Sequence, residues 1–200
     1  MKYQLEDLAE IAAKLAETGQ GIQKDLILIA ALPGVGKTTL AREFARQTNG
    51  IHFDIDEIKR VVVPEDKVTE GIDPPEYRYK YYAGAIRKLP DLFAQSSVGV
   101  VIMDETFHLQ AFRDMWNDAA VKLNIRLHWI EAVCDEEIVN QRLSVGKDRE
   151  NHILASGGHH MYSLFKKAFE PVEGPHEVVD TAQDIVPQVE KIVRAWSIGE

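Results

Sequence analysis

Cysteine is nearly missing from this 200-residue chain, which has one, Cys134. A lone thiol cannot form an internal disulfide, so the disulfide-stapled secreted class is excluded and a reducing cytoplasm fits best. Cys134 follows an apolar run, which suits a buried structural thiol better than a nucleophile. Long hydrophobic stretches are missing too. None approaches the roughly 20 residues that span a bilayer, so no membrane partner is expected. Glu6, Asp7 and Glu10 stand where a signal peptide would need an apolar core. Positive charge is in deficit: 23 Lys and Arg face 32 Asp and Glu, a net charge of −9. That balance argues against broad binding to nucleic acid or membrane surfaces, while leaving room for a local basic patch. There is no internal repeat and no low-complexity segment. The remainder, 45% hydrophobic and 28% charged, is the make-up of one globular domain with a sizeable core, spanning residues 1–200.

Against these absences stands one dense signal. Residues 26–38 read Leu-Ile-Leu-Ile-Ala-Ala-Leu-Pro-Gly-Val-Gly-Lys-Thr. An apolar strand breaks into a Gly-rich turn and a helix follows. Gly34 and Gly36 let backbone N–H groups converge on one anion, and the helix that begins near Lys37 aims its positive end at the same place. Lys37 can reach β- and γ-phosphates, and the Thr38 hydroxyl can ligate Mg²⁺. Pro33, Gly34, Val35, Gly36, Lys37, Thr38 and Thr39 are therefore the candidate nucleotide-binding residues.

The rest of the chain alternates strands and helices. Leu5, Leu8, Ile11, Ala12 and Leu15 recur at helical spacing, predicting an N-terminal helix within residues 1–22 that packs outside the sheet. Strands are expected at Ile51–Asp54, Val98–Met103, Ile125–Val133 and Glu177–Val179. Helices are expected from Glu76, with Pro90 kinking or splitting it, over His108–Leu123, from Asp135 to Leu143, over Met161–Phe169 and over Ile185–Trp196. Residues 63–75 read as a loop, inside an acceptor-side insert at about 63–96. Residues 144–158 are polar and read as a small mobile lid. This order implies a parallel sheet with helices on both faces.

Three further stations carry chemistry. Asp54 and Asp56 lie just past the second strand, at the carboxyl edge where open α/β sheets bind ligands. An Asp there can take the proton of an attacking hydroxyl, and Lys59 or Arg60 one turn later can neutralise an anionic acceptor. The third strand ends in Asp104-Glu105-Thr106, where Asp104 can stand near Mg²⁺ or the substrate. Glu105 cuts the other way, because a Glu after this Asp can activate water in an ATPase. Arg113 lies on the next helix, within reach of substrate or of its own helix surface. The basic stretch from Arg142 to Arg149 is placed to follow the charge of a transferring phosphoryl group. The adjacent His159 and His160 have no third ligand at suitable spacing. Tyr77-Arg78-Tyr79-Lys80-Tyr81-Tyr82 mixes aromatics with cations, as nucleic-acid surfaces do, and offers an acceptor-binding role, although Tyr77 and Tyr81 share a helix face that suits core packing.

With these stations in order, the chain resembles a small P-loop kinase of the group that includes zeta-toxin-like kinases, gluconate kinases, chloramphenicol phosphotransferase and the 5′-hydroxyl polynucleotide kinases. The resemblance covers about residues 24–181. It rests on Ala-Leu-Pro-Gly-Val-Gly-Lys-Thr-Thr, on Asp56 with Lys59 three positions on, on Asp104-Glu105-Thr106-Phe107 with Arg113, on Arg142 and Arg149 as lid arginines, and on Phe169-Glu170-Pro171 with Val178-Val179-Asp180-Thr181 flanking an adenine. It implies a three-layer α/β P-loop NTPase fold with a five-stranded parallel sheet in the order 2-3-1-4-5. It implies Asp56, in preference to Asp54, as the base, with Lys37, Arg142 and Arg149 catalytic beside it. Lys59, Asp104, Thr106 and Arg113 would touch substrate, Pro171 would touch the nucleotide, and Thr38 and Asp104 would serve Mg²⁺. The expected function is an ATP- and Mg²⁺-dependent phosphotransferase acting on a hydroxyl of a small molecule. The alternatives are a 5′-hydroxyl polynucleotide kinase, less favoured by the acidic charge, and an ATPase or nucleotide switch using Glu105.

Overall fold

The structure is a computed structural model and describes residues 7–19, 21–63, 72–145 and 158–196. Its core is a five-stranded parallel sheet in the order β2-β3-β1-β4-β5, made of β1 (Asp25–Ala30), β2 (Ile51–Asp54), β3 (Val100–Glu105), β4 (Arg126–Val133) and β5 (Glu177–Asp180). The helices are α1 (Leu8–Glu17), α2 (Lys37–Thr48), α3 (Asp56–Val62), α4 (Pro75–Gln95), α5 (Gln110–Lys122), α6 (Glu136–Val145), α7 (Gly158–Ala168) and α8 (Ile185–Trp196).

Every residue of β1 and β3 is buried, as expected of strands covered on both faces. Alternation divides their side chains between two cores. Leu26, Leu28, Ala30, Val101 and Met103 face α1, α4 and α5, with Tyr81, Tyr82, Phe112 and Trp116 filling the layer. Ile27, Ile29, Val100 and Ile102 face α2 and α8, with Leu40, Phe44, Val189 and Ile192. Each fully buried Leu or Ile contributes about 1.5–3 kcal/mol, so the central strands are the rigid frame. Parallel pairing also puts all the strand ends that carry chemistry on one edge: Asp54 sits opposite Asp104, and Ala30 opposite Glu105.

The chain after β2 turns at once into helix α3, which puts Asp56 and Lys59 one turn apart on a helix. Two expectations are corrected. β3 continues through Asp104 and Glu105, which makes both carboxylates part of the sheet. Helix α4 is not split at Pro90; it runs unbroken from Pro75 to Gln95 with Pro90 buried in it. The N-terminal helix does pack outside the sheet, on α4 and α5. Of the expected lid, residues 146–157 lie outside the described residues, and with them Arg149.

Candidate active site

The phosphate loop grows directly out of β1. Gly34 and Gly36 adopt φ of +79° and +110°, a backbone region that side chains disfavour. A Cβ at Gly34 would also come within 2.8 Å of Leu143 on α6. Gly36 is the N-cap of α2, so the helix begins at Lys37 and its free N–H groups face the loop. Lys37 Nζ folds back over the loop, 3.5 Å from the Leu32 carbonyl. The Thr38 hydroxyl donates to Asp104 Oδ2 at 3.0 Å. His52 on β2 holds the other oxygen of Asp104 at 2.6 Å. Burial pushes the Asp104 pKa up, but the His52 hydrogen bond and the Lys37 charge outweigh it and hold the carboxyl below its ordinary value.

Arg142 reaches this loop from α6. Its Nη1 donates to the Val35 carbonyl at 2.7 Å and to Thr181 Oγ1 at 3.1 Å, and its Nη2 donates to the Thr181 carbonyl at 2.6 Å. The Thr181 hydroxyl donates to the Val35 carbonyl as well. Arg142 thus ties the phosphate loop to the end of β5. Beside the tie opens a pocket of about 420 Å³, lined by Gly36, Thr39, Arg142, Thr181, Gln183, Asp184 and Ile185.

On the other side of Lys37 lies a denser group of charges. Asp54 Oδ1 accepts the N–H of Asp56 at 2.9 Å, which fixes the turn into α3. Burial, then the negative charges of Glu105 and Asp54, raise the Asp56 pKa to about 6, against the pull of Lys59 and Lys37. Glu105 is itself buried, yet Arg78 at 3.2 Å, Lys37, Lys59 and the N–H of Thr106 hold its carboxyl below the ordinary value. Lys59 does not point to open solvent: its Nζ lies 2.7 Å from Asp73 Oδ2. Arg78 contacts the same oxygen at 3.6 Å. These are close contacts of opposite charge without the alignment of a hydrogen bond.

Several sequence expectations meet a different geometry. Arg78, read as part of a cationic surface, is 1% exposed and belongs to the core. It falls three and four residues before Tyr81 and Tyr82, so it shares their buried helix face. Arg113 is equally buried, and its donors go to main chain: Phe107 O at 2.6 Å, Glu170 O at 3.0 Å and Pro171 O at 2.6 Å, with Gln110 Oε1 at 2.9 Å. It fastens the 169–171 segment to the turn after β3. Pro171 is thereby seated on that turn and is not among the residues lining the pocket beside Gly36. Thr106 is buried next to Glu105. His159 bonds Asn140 and Ser144, which joins α7 to α6. Among the described residues no three His, Cys, Asp or Glu side chains cluster as metal ligands. Sequence reasoning missed His52 and Asp73. The signal for His52 was its place two residues before Asp54 on a strand paired with β3; for Asp73, beside two prolines, there was none.

Comparison with known proteins now has a structure to stand beside. A family model described as an AAA domain matches residues 27–157. The chain belongs to this family. Its fold is that of the P-loop kinases. A sugar kinase from Janibacter sp. HTCC2649 superposes with a TM-score of 0.62 at 18% identity, covering 88% of this chain and 95% of that one. A gluconokinase from Sinorhizobium meliloti 1021 gives 0.60 at 14% identity, covering 88% and 97%. The Mycobacterium tuberculosis APS kinase in complex with AMPPNP and APS gives 0.64 at 10% identity, covering 88% and 99%. No curated protein matches in sequence. Among the described residues no helix is long and apolar enough to cross a membrane.

Proposed function

We propose that this AAA-domain chain is an ATP-dependent phosphotransferase that moves the γ-phosphate to a hydroxyl of a small-molecule acceptor. The observation that carries the reading is the poise of Asp56. It sits at the first turn of α3, at the carboxyl edge of the sheet, and its pKa of about 6 leaves it ionised yet basic at neutral pH. The fold shared with a sugar kinase, a gluconokinase and an APS kinase supports the same reading.

In this reading the amides of the 33–39 loop and Lys37 hold the β- and γ-phosphates. Asp56 takes the proton of the attacking hydroxyl as its oxygen bonds to the γ-phosphorus, and ADP leaves with the electrons of the broken P–O bond. Thr38 and Asp104 offer only oxygen donors, 3.0 Å apart, which suits Mg²⁺. When bound there, Mg²⁺ would neutralise phosphate charge. Arg142, tied to Val35 and Thr181, fits the shaping of the loop and the adjoining pocket, where the nucleotide base would lie. Arg149 would stabilise transferred charge from the lid, Lys59 and Thr106 would border the acceptor, and Arg113 would position the 169–171 segment that includes Pro171. A cytoplasmic setting agrees with the single cysteine.

The hydrolytic alternative loses ground. Glu105 is committed to Arg78 and to the Thr106 amide, and so is poorly placed to activate water. The test is Asp56→Asn with radiolabelled ATP. Phosphoryl transfer should fall by at least about 100-fold, as loss of a positioned base does, while ATP affinity stays within about threefold. Transfer at the wild-type rate would remove Asp56 from the reaction.

A further inference from the structure

Among the described residues, the acceptor side of the site holds two cations that are buried or half-buried, Lys59 and Arg78, and both are taken, while Arg60 is exposed. Lys59 lies 2.7 Å from Asp73, and Arg78 bridges Asp73 at 3.6 Å and Glu105 at 3.2 Å. Arg78 is 1% exposed, Asp73 4% and Glu105 9%, so these pairs are desolvated. Lending either cation to a substrate would leave a buried carboxylate uncompensated, which is strongly unfavourable. The charge left over is negative: at Asp56 the carboxylates of Glu105 and Asp54 outweigh Lys59 and Lys37, and Lys37 belongs to the phosphate loop. A carboxylate, sulfate or phosphate brought here meets repulsion that no buried cation among the described residues is free to offset.

The same neighbourhood has hydrogen-bonding capacity to spare. Arg78 Nε, the Tyr81 hydroxyl and His108 Nδ1 are buried without a hydrogen-bond partner. Their residues are 1%, 0% and 3% exposed. Arg78 lies over the Phe165 ring at 5.1 Å, and the His108 ring meets the same ring edge-on at 5.1 Å. Burial, then the Arg78 charge, keep His108 neutral with a pKa of about 4. Orphaned polar atoms of this kind are rare in folded proteins, and they match hydroxyl groups, which donate and accept.

Resting on the kinase reading above, we propose that the phosphate acceptor is a polyhydroxy compound carrying no carboxylate, sulfate or phosphate: a neutral sugar, cyclitol or nucleoside, or an amino derivative of one. Asp73 and Glu105 act as built-in counter-anions that deny the site to acids. The test uses γ-labelled ATP and acceptors matched except for one anionic group: glucose and glucosamine against gluconate, myo-inositol against its monophosphate, adenosine against 3′-AMP. Binding of a non-hydrolysable ATP analogue is measured on the same protein. Label should enter only members without the anion, at least 100-fold faster than their acids. Asp73→Asn, which frees Lys59, should raise the relative rate on the acids at least tenfold. Preference of the wild type for gluconate, inositol monophosphate or 3′-AMP overturns the proposal and leaves the kinase reading intact, as does an unchanged ratio in a folded Asp73→Asn. Transfer to no member while the analogue binds sinks the kinase reading, and the proposal with it.

Discussion

On the kinase reading, the groups that hold phosphate come mainly from one stretch of chain, Pro33 to Thr39, and are mostly backbone: two glycines at positive φ and the amides that open α2. At the acceptor end the groups come from separated segments. Asp56 and Lys59 lie on α3, Asp73 just before α4, Arg78 on α4 and Glu105 on β3, joined by side chains across the core. A backbone-built site is written locally and depends little on what surrounds it. A site built from buried charges depends on every member, because removing one leaves another desolvated and alone.

The sharpest way to break that contrast is Arg78→Met. Glu105 and Asp73 would lose their buried counter-charge, and breaking such a pair costs about 3–5 kcal/mol. Urea unfolding should show the loss, and the buried Glu105 should become harder to ionise without that partner. A stability change under about 1 kcal/mol would mean that the acceptor end is as locally built as the phosphate end. The counterpart at the phosphate end is Gly34→Ala. Its φ of +79° and the 2.8 Å approach to Leu143 together should cost about 1–3 kcal/mol. Calorimetric titration should show weaker ATP binding, with the acceptor-side ion pairs untouched.

The same contrast explains what could be read from sequence. The phosphate loop, the strand order that the resemblance implies and the place of Asp56 were legible because spacing along the chain sets them: a buried strand, a Gly-rich turn, a helix start, and carboxylates at strand ends. Arg78 was not. A cation between aromatics looks the same whether it faces water or Glu105, and only the packing of α4 on β3 decides. Arg113 misled in the same way. Its place on the helix after β3 was right, but it donates to three carbonyls on two segments far apart in the chain, Phe107 and Glu170 with Pro171, a pairing that no local pattern encodes. Pro90 did not split its helix, and it lies buried in the middle of a long one.

A smaller effect sharpens the comparison from the other direction, since the acceptor end also carries a charge that opposes folding. The pKa of Asp56 is about 6 in the folded chain, against about 3.9 for an unperturbed Asp. The folded state therefore holds this proton more tightly than the unfolded state does. The stability this provides is present below pH 4 and is lost as pH rises through 6. Above that, the ionised carboxylate is a burden of about 3 kcal/mol. Asp56→Asn should accordingly melt higher than wild type at pH 8, with the gap closing as pH falls from 6 to 4. Inactive yet more stable is the signature of a group kept for chemistry. A gap that does not vary with pH would locate the gain elsewhere.

The smallest expected effect concerns the clasp between the loop and β5. Arg142 is on the surface, but three of its hydrogen bonds converge on Val35 and Thr181. Each such bond from a charged donor is worth about 1.5–3 kcal/mol when buried and less when wet. In the kinase reading Arg142→Ala loosens the loop without removing an amide that contacts phosphate, so ATP should bind about 3- to 10-fold more weakly at nearly unchanged stability. If Arg142 instead touches the transferring phosphate, kcat will fall far more than ATP affinity does. Measuring both on Arg142→Ala separates a residue that shapes the phosphate end from one that takes part in transfer.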